Sequence, residues 1–360
     1  SIVENLAELM AEMKTTKAHL GITFDLDGDR GAVVIPVPNK DSITKDNFTI
    51  LPPDNLMQVL LPFLNVSGYS VKERGKVGVV RDVLSTKGVD KKAEELGYES
   101  YQTDAGYVFL KAKVKALKEN GYTIPIYSER SGHTWTQVTG AFEDPIIVSL
   151  FFNIIVSEHL QKNPTAPYPA LEVYKKNSIP YKQSTRFQPL FGKPFLRQLS
   201  DDPENKSGWR FGQTPIPMEI VSLGRHRAIE QLKGQFQKGK EFKTPVGRLT
   251  VSEFNFYFDP EIKANRFADI RFSLDGKDAG SFVFRASSNE PTWVCSFETP
   301  LWEGETFEAE SVFLRYISVG GLVLDFLETS GIASVTEGNY PNKSDAEETL
   351  NKFRELMNRK

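Results

Sequence analysis

The sequence predicts an α/β protein: a mixed or parallel-sheet α/β part, followed by an α+β part with an antiparallel sheet. Three observations carry that reading. Between Pro52 and Asn163 short apolar strands alternate with helical periods. Beyond residue 182 the composition shifts toward Phe and alternating strands. Three polar loops, rich in the residues that handle metals, hydroxyls and phosphates, each follow an apolar strand.

Residues 1 to about 50 read as helix, strand, acidic loop, strand and turn, the last fragment of a domain. The strand Leu20 to Phe24 is nearly all apolar, the pattern of a strand buried on both faces, so in such a fragment one face or an edge is expected to lack its partners. From 51 to 165 the expected elements are Asp54 to Leu64, Lys76 to Leu84, Thr86 to Leu96, Glu99 to Thr103, Tyr107 to Asn120 and Thr123 to Tyr127, then a buried helix about Ile146 to Val156 that ends near Pro164. A loop rich in Pro, Tyr and Lys over 164–182 marks the next boundary. Within 166–360 the expected strands are Phe254 to Phe258, Ile270 to Leu274, Gly280 to Phe284 and Trp293 to Glu298, packed by a helix from about Phe313 to Thr329. A Ser-Asp-Ala-Glu capping pattern at Ser344 opens a charged final helix.

Composition excludes several classes. The chain has 360 residues, 39% hydrophobic and 25% charged, ample for more than one core. A net charge of −3 gives no nucleic-acid footprint, and Lys111 to Lys115 and Lys233 to Lys243 lack the aromatic interleaving of a base-stacking surface. No apolar run approaches the roughly 20 residues of a membrane helix. A single cysteine, Cys295, excludes an internal disulfide framework and favours a cytoplasmic setting. Its place in an alternating strand makes it core.

The loop Asp25-Leu-Asp-Gly-Asp-Arg30 puts Asp25, Asp27 and Asp29 at alternate positions, a set of hard oxygen ligands suited to Mg2+. Arg30 could hold a phosphoryl oxygen bidentately. An EF-hand is excluded, because Arg30 and Pro36 stand where that loop needs glycine and a bidentate glutamate. The string Phe24-Asp-Leu-Asp-Gly28 also resembles haloacid-dehalogenase-type phosphatases, with Asp25 as nucleophile and Asp27 as acid/base. That family usually has Thr or Val at the place of Asp29. In Glu129-Arg-Ser-Gly-His133, Glu129 can accept from vicinal hydroxyls, Ser131 can donate or accept, Gly132 lets the backbone approach a ligand, and His133 can move a proton. In Arg285-Ala-Ser-Ser-Asn-Glu-Pro291, Arg285, Ser287, Ser288 and Asn289 form a strand–loop–strand phosphate cradle.

In this order the three loops resemble the metal, sugar and phosphate loops of the α-D-phosphohexomutase superfamily, the phosphoglucomutases and phosphomannomutases. Val80-Arg-Asp-Val-Leu-Ser85, Gln102-Thr-Asp-Ala-Gly-Tyr107 and Glu4-Asn-Leu-Ala-Glu-Leu9 are similar to family segments as well. The resemblance implies a remnant of the second domain at 1–50, a sugar-binding third domain at 51–165 and a phosphate-binding fourth at 166–360, with an insertion near 185–245. It implies reversible phosphoryl transfer between C1 and C6 of a hexose phosphate through a hexose 1,6-bisphosphate. Asp25, Asp27 and Asp29 would hold Mg2+, Arg30 and His133 would be catalytic, Glu129, Ser131 and Gly132 would bind sugar, and Arg285, Ser287, Ser288 and Asn289 would grip phosphate.

Two departures accompany it. Nothing reads as the family's Thr-Ala-Ser-His-Asn-Pro type serine loop, so the expectation is a carboxyl-terminal part that lacks the first domain and most of the second. Such a part would be inactive alone and would meet those domains in cis or as a separate chain. Val108 stands where the family usually has a lysine, with Lys111 one helical turn on. A non-catalytic sugar-phosphate-binding relative is therefore a further alternative, beside the phosphatase.

Overall fold

The computed structural model describes residues 6–38, 47–66, 75–139, 142–184, 187–259, 264–287, 292–336 and 343–359. They fall into two compact units, Ser1–Pro180 and Tyr181–Lys360. Compactness thus groups the chain differently from the three expected segments. The reason is a shared core: Val33, Ile35, Val37 and Leu51 pack in one cluster with Leu56, Leu60, Phe152 and Val156.

In the first unit, helix α1 (Ala7–Thr16) leads into a three-stranded antiparallel sheet of β1 (Gly21–Phe24), β2 (Gly31–Pro36) and β3 (Phe48–Leu51), in that order. β1, the apolar strand expected to lack partners on one face or edge, lies at the side of this sheet, and Phe24 is 41% exposed. The central, buried strand is β2, through Val33, Val34 and Ile35. β1 and β2 pair from Gly21↔Val34 to Phe24↔Gly31, so the acidic loop is the turn of a hairpin.

After α2 (Pro53–Val66) the chain builds β4 (Gly78–Asp82), α3 (Gly88–Glu95), β5 (Glu99–Thr103), α4 (Tyr107–Glu119), β6 (Ile126–Ser128) and β7 (Thr134–Thr136). Their sheet runs β5-β4-β6-β7, with β4 parallel to both neighbours and β7 antiparallel to β6. Period-two alternation sends Val79 into the cluster with α2 and α3, and Val80 into a cluster with Leu110, Val114 and Leu117 of α4. Every β4 residue is buried, as a central strand covered on both faces requires. α5 (Pro145–Lys162) starts at Asp144, whose side chain accepts from the Ile147 N–H at 3.0 Å, and α6 (Pro169–Asn177) completes the unit. The chain leaves β4 for β5 on one side and returns to β6 on the other. A switch of that kind opens a crevice at the carboxyl ends of β4 and β6.

The second unit is a six-stranded antiparallel sheet in the order β10-β11-β12-β13-β14-β8. Its strands are β8 (Tyr181–Gln183), β10 (Glu241–Thr244), β11 (Gly247–Asp259), β12 (Ala264–Leu274), β13 (Lys277–Ala286) and β14 (Trp293–Pro300). A small pair joins β9 (Leu190–Phe191) to β15 (Ala333–Ser334). Helices α7 (Lys193–Ser200), α8 (Met218–Gln235) and α9 (Glu310–Thr329), with α10 (Lys343–Asn358), complete it. The stretch expected as an insertion is part of the main core, since Phe195, Trp209, Ile229 and Phe236 cluster with Phe272, Phe282 and Trp293. Cys295 is buried there, as expected. In α9 a Cβ on Gly320 would lie 2.3 Å from the Phe297 ring, and one on Gly321 would lie 2.3 Å from Phe353 Cβ. The two glycines let α9 pack tightly between sheet and final helix.

Candidate functional site

The acidic loop is a closed hairpin turn. Asp25 N–H donates to the Arg30 carbonyl and Gly28 N–H to the Asp25 carbonyl, each at 3.2 Å. Gly28 takes φ +73°, in the left-handed region that favours glycine. One oxygen from each of Asp25, Asp27 and Asp29 lies within 4.8 Å of the others. The hard-oxygen donor set and that convergence fit a divalent cation such as Mg2+. Arg30 braces the turn: its N–H reaches Asp25 Oδ1 at 3.1 Å and its Nε reaches Asp25 Oδ2 at 2.5 Å. Desolvation, the largest single influence, pushes the Asp25 carboxyl up, but the Arg30 N–H, the hydrogen bond from its guanidinium and its charge together outweigh it and hold the group below its ordinary range.

The second loop is also a hairpin turn, between β6 and β7, whose last pair is Ser128↔Thr134. Glu129 N–H donates to the His133 carbonyl at 2.9 Å, and Gly132 N–H to the Glu129 carbonyl at 3.2 Å. Ser131 Oγ donates to Glu129 Oε2 at 2.6 Å. Glu129 Oε1 is buried and makes no hydrogen bond among the described residues.

The structure brings these two loops together. His133 Nδ1 lies 3.5 Å from Asp29 Oδ2. A Cβ on Gly132, which takes φ +118°, would lie 2.9 Å from Arg30 Cβ. Glycine at 132 is therefore required by the close approach of Arg30 as well as by the backbone. The His133 ring lies 6.0 Å from the Trp135 indole, which stacks on Tyr127 at 4.7 Å. Lys111 Nζ sits 5.5 Å from the Trp135 ring and 3.2 Å from Glu143 Oε1, whereas Val108 is 57% exposed. Lys111 thus belongs to this cluster, and Val108 does not reach into it.

Behind the second loop lies a buried acid in the segment Val80 to Ser85, a residue for which the sequence suggests no role. Asp82, 1% exposed, ends β4, and its Oδ1 accepts from Ser85 N at 2.8 Å, Ser85 Oγ at 2.5 Å and Arg130 N at 3.4 Å. Burial pushes its carboxyl up to about 6. The Glu129 and Asp54 charges add to that rise, against the Ser85 hydrogen bond and the Arg81 charge. Its place at the carboxyl end of a central parallel strand is the sequence signal that could have found it.

The third loop lies in the second unit, between β13 and β14. Arg285 is 7% exposed and pairs in register with Val294, and Ser287 N–H donates to the Thr292 carbonyl at 2.8 Å. Ser288 and Asn289 lie outside the described residues. Of the remaining histidines, His159 pairs with Glu172 at 2.9 Å and braces α5 against α6.

Residues 52–170 match the family described as phosphoglucomutase/phosphomannomutase, alpha/beta/alpha domain III. The chain is 32% identical over 132 residues to a phosphoglucomutase of Neisseria gonorrhoeae, 37% of this chain and 24% of that one. It is 33% identical over 125 residues to a phosphoglucosamine mutase of Bacillus subtilis, 35% of this chain and 24% of that one. Among solved structures, a phosphoglucomutase/phosphomannomutase family protein from Burkholderia thailandensis superposes with TM-score 0.52 at 17% identity, covering 94% of this chain and 52% of that one. The matches span about a quarter of the curated relatives, and the chain spans about half of the solved neighbour. The sequence matches support the α-D-phosphohexomutase superfamily, and the structural likeness shows the fold. Among the described residues no helix is long and apolar enough to cross a membrane.

Proposed function

We propose that this chain carries the metal, sugar and phosphate loops of a phosphohexomutase that moves a phosphoryl group between C1 and C6 of a hexose phosphate. The observation that carries the reading is the meeting of the acidic hairpin with the Glu129–His133 loop, His133 Nδ1 to Asp29 Oδ2 at 3.5 Å. Metal ligands next to a hydroxyl-binding turn are what positioning a phosphoryl group against a sugar demands.

In this reading residues 1–50 supply the metal site, 51–165 the sugar site and 166–360 the phosphate site. Asp25, Asp27 and Asp29 hold Mg2+, which when bound neutralises charge on the transferring phosphoryl group. Arg30, already fixed by Asp25, steadies a phosphoryl oxygen. Glu129 and Ser131 take vicinal hydroxyls, with Glu129 Oε1 free to accept. His133, whose Nδ1 lies 3.5 Å from Asp29 Oδ2, exchanges a proton with the reacting hydroxyl. Arg285, Ser287, Ser288 and Asn289 hold the phosphate that is not reacting. The phosphoryl donor comes from a segment other than these 360 residues, so the chain alone binds a hexose bisphosphate in the cytoplasm without turning it over. Asp25 suits ligation better than the nucleophilic role of a phosphatase, because both its oxygens already accept from Arg30.

Calorimetric titration of the full chain with glucose 1,6-bisphosphate in Mg2+ tests this. Binding that is weakened about tenfold or more by Glu129→Gln and by Arg285→Ala is expected, each removing a charged partner. Absence of binding, together with turnover of p-nitrophenyl phosphate that Asp25→Asn abolishes, would transfer the site to phosphatase chemistry.

A further inference from the structure

Asp82 is a buried acid to which the chemistry above gives no task. It stands at the end of β4, in the crevice where the sheet order switches, and the Glu129–His133 loop rises from the neighbouring strand β6. Two hydrogen bonds, both donated by Arg130, hold the two segments together. Asp82 Oδ1 accepts the Arg130 N–H at 3.4 Å, and Arg130 Nη1 donates to the Leu84 carbonyl at 3.1 Å. Ser85, one turn on, holds the same carboxylate oxygen through N–H and hydroxyl. Arg130 sits between the two residues that the proposed function assigns to sugar hydroxyls, Glu129 and Ser131. A shift of its backbone moves both.

We propose that Asp82 is the positioning residue for sugar recognition: by accepting the Arg130 N–H it fixes the backbone from which Glu129 and Ser131 reach the hydroxyls. This rests on the sugar-binding reading of that loop. The groups facing Asp82 are Glu129 and Arg130 on the loop after β6, Asp54 on α2, Arg81 on its own strand and Ser85 on its own turn. Burial and the two acids oppose its ionisation, while Arg81 and Ser85 favour it, so its carboxyl changes charge near pH 6. Above that pH the bond to Arg130 is charge-assisted. Below it the acceptor is neutral and weaker. Loop order therefore increases as pH rises through about 6, and an asparagine at 82 behaves as the protonated form at every pH.

The test uses the full chain, wild type and Asp82→Asn, between pH 5 and 7.5. Hydrogen exchange over residues 129–133, corrected for intrinsic rate, is expected to slow with rising pH in the wild type and to stay flat in the variant. The ratio of the two Kd values for glucose 1,6-bisphosphate cancels phosphate ionisation. It is expected near one at pH 5 and to rise to about tenfold at pH 7.5, the difference between a charge-assisted and a neutral hydrogen bond. A ratio that does not change with pH, or exchange over 129–133 that is the same in both proteins, would overturn the proposal. If the wild type binds no bisphosphate, the sugar reading falls, and the exchange comparison alone decides whether Asp82 holds the loop. Should Asp82→Asn not fold, Ser85→Ala serves. It removes one donor to the carboxylate and is expected to move the pH midpoint of loop protection upward, and an unmoved midpoint counts against the proposal.

Discussion

Arg81 and Asp82 are consecutive residues of one strand, both buried, and they serve opposite kinds of environment. Arg81 is matched: Nε donates to Asp90 Oδ1 at 2.7 Å, Nη2 pairs with Asp90 and donates to Gln102 at 2.9 Å, and Nη1 donates to the Asp82 carbonyl at 3.0 Å. Asp90, although desolvated, is held well below the usual carboxylate range by Arg81. Asp82 sits on the side where acids gather, with Glu129 and Asp54 raising its carboxyl. A buried cation with every donor satisfied is a fastening. A buried acid among acids, beside a glutamate oxygen with no partner, is a surplus of negative charge and acceptor capacity that a hydroxyl- or cation-bearing ligand relieves.

The largest test of that contrast is Arg81→Ala. It takes from Asp90 its buried cation, leaving the Ser100 hydroxyl as the hydrogen bond between α3 and β5 there, and urea unfolding is expected to show a loss of about 3–5 kcal/mol, the usual result of breaking a buried pair from one side. A loss below about 1 kcal/mol would erase the distinction between the two residues.

Asp82→Asn should act in the other direction. The native carboxyl titrates near 6, above its ordinary value of 3.8, so the native state binds more protons than the unfolded chain between those pH values. Stability due to this group is present below about pH 3.8 and declines as pH rises to about 6. Removing the charge is therefore expected to raise stability at pH 7.5 by about 2–3 kcal/mol relative to the wild type, with the gain vanishing near pH 4. A variant that is less stable at both pH values would place Asp82 with the fastenings.

Gly28→Ala comes next. Nothing lies within 4 Å of the Cβ it would add, so the only penalty is the left-handed backbone at φ +73°. About 1 kcal/mol is expected in thermal unfolding. A larger loss would mean that the hairpin turn is braced by more than Arg30.

Legibility in the sequence follows how far apart cooperating residues lie. The acidic hairpin, the Glu129–His133 turn and the Arg285 strand end are each contained in a few consecutive residues, and local pattern exposes them. The helices from Pro53 to Lys162 and the β11 to β14 strands are legible for the same reason: their apolar period is unbroken. The role of Asp82 is not: Val80 to Ser85 resembles a family segment, but the partner that gives the acid meaning, Arg130, comes from another strand's loop. The exposure of Phe24 agrees with the expectation that the apolar strand of a partial sheet lacks partners on one face or edge, although the letters alone do not say which. From the stretch expected as an insertion, Phe195, Trp209 and Phe236 join the second unit's core, a packing that its length alone does not reveal.

The smallest expected effect on stability is also the sharpest on binding. Asp27→Asn with Asp29→Asn removes two carboxylates from the hairpin while leaving Asp25, which Arg30 uses to close the turn. Asp27 is exposed and Asp29 partly so, and exposed charge pairs contribute about 0–1 kcal/mol, so the melting temperature should barely move. Titration with Mn2+ as a paramagnetic probe should show the cation site lost, since one remaining carboxylate is too few hard ligands for a small divalent ion. Unchanged Mn2+ binding would show that the three aspartates are a solvated turn. A melting temperature lowered by many degrees would show that they are a fastening like Arg81, and the acid-rich side of the crevice would then be structural rather than poised for a ligand.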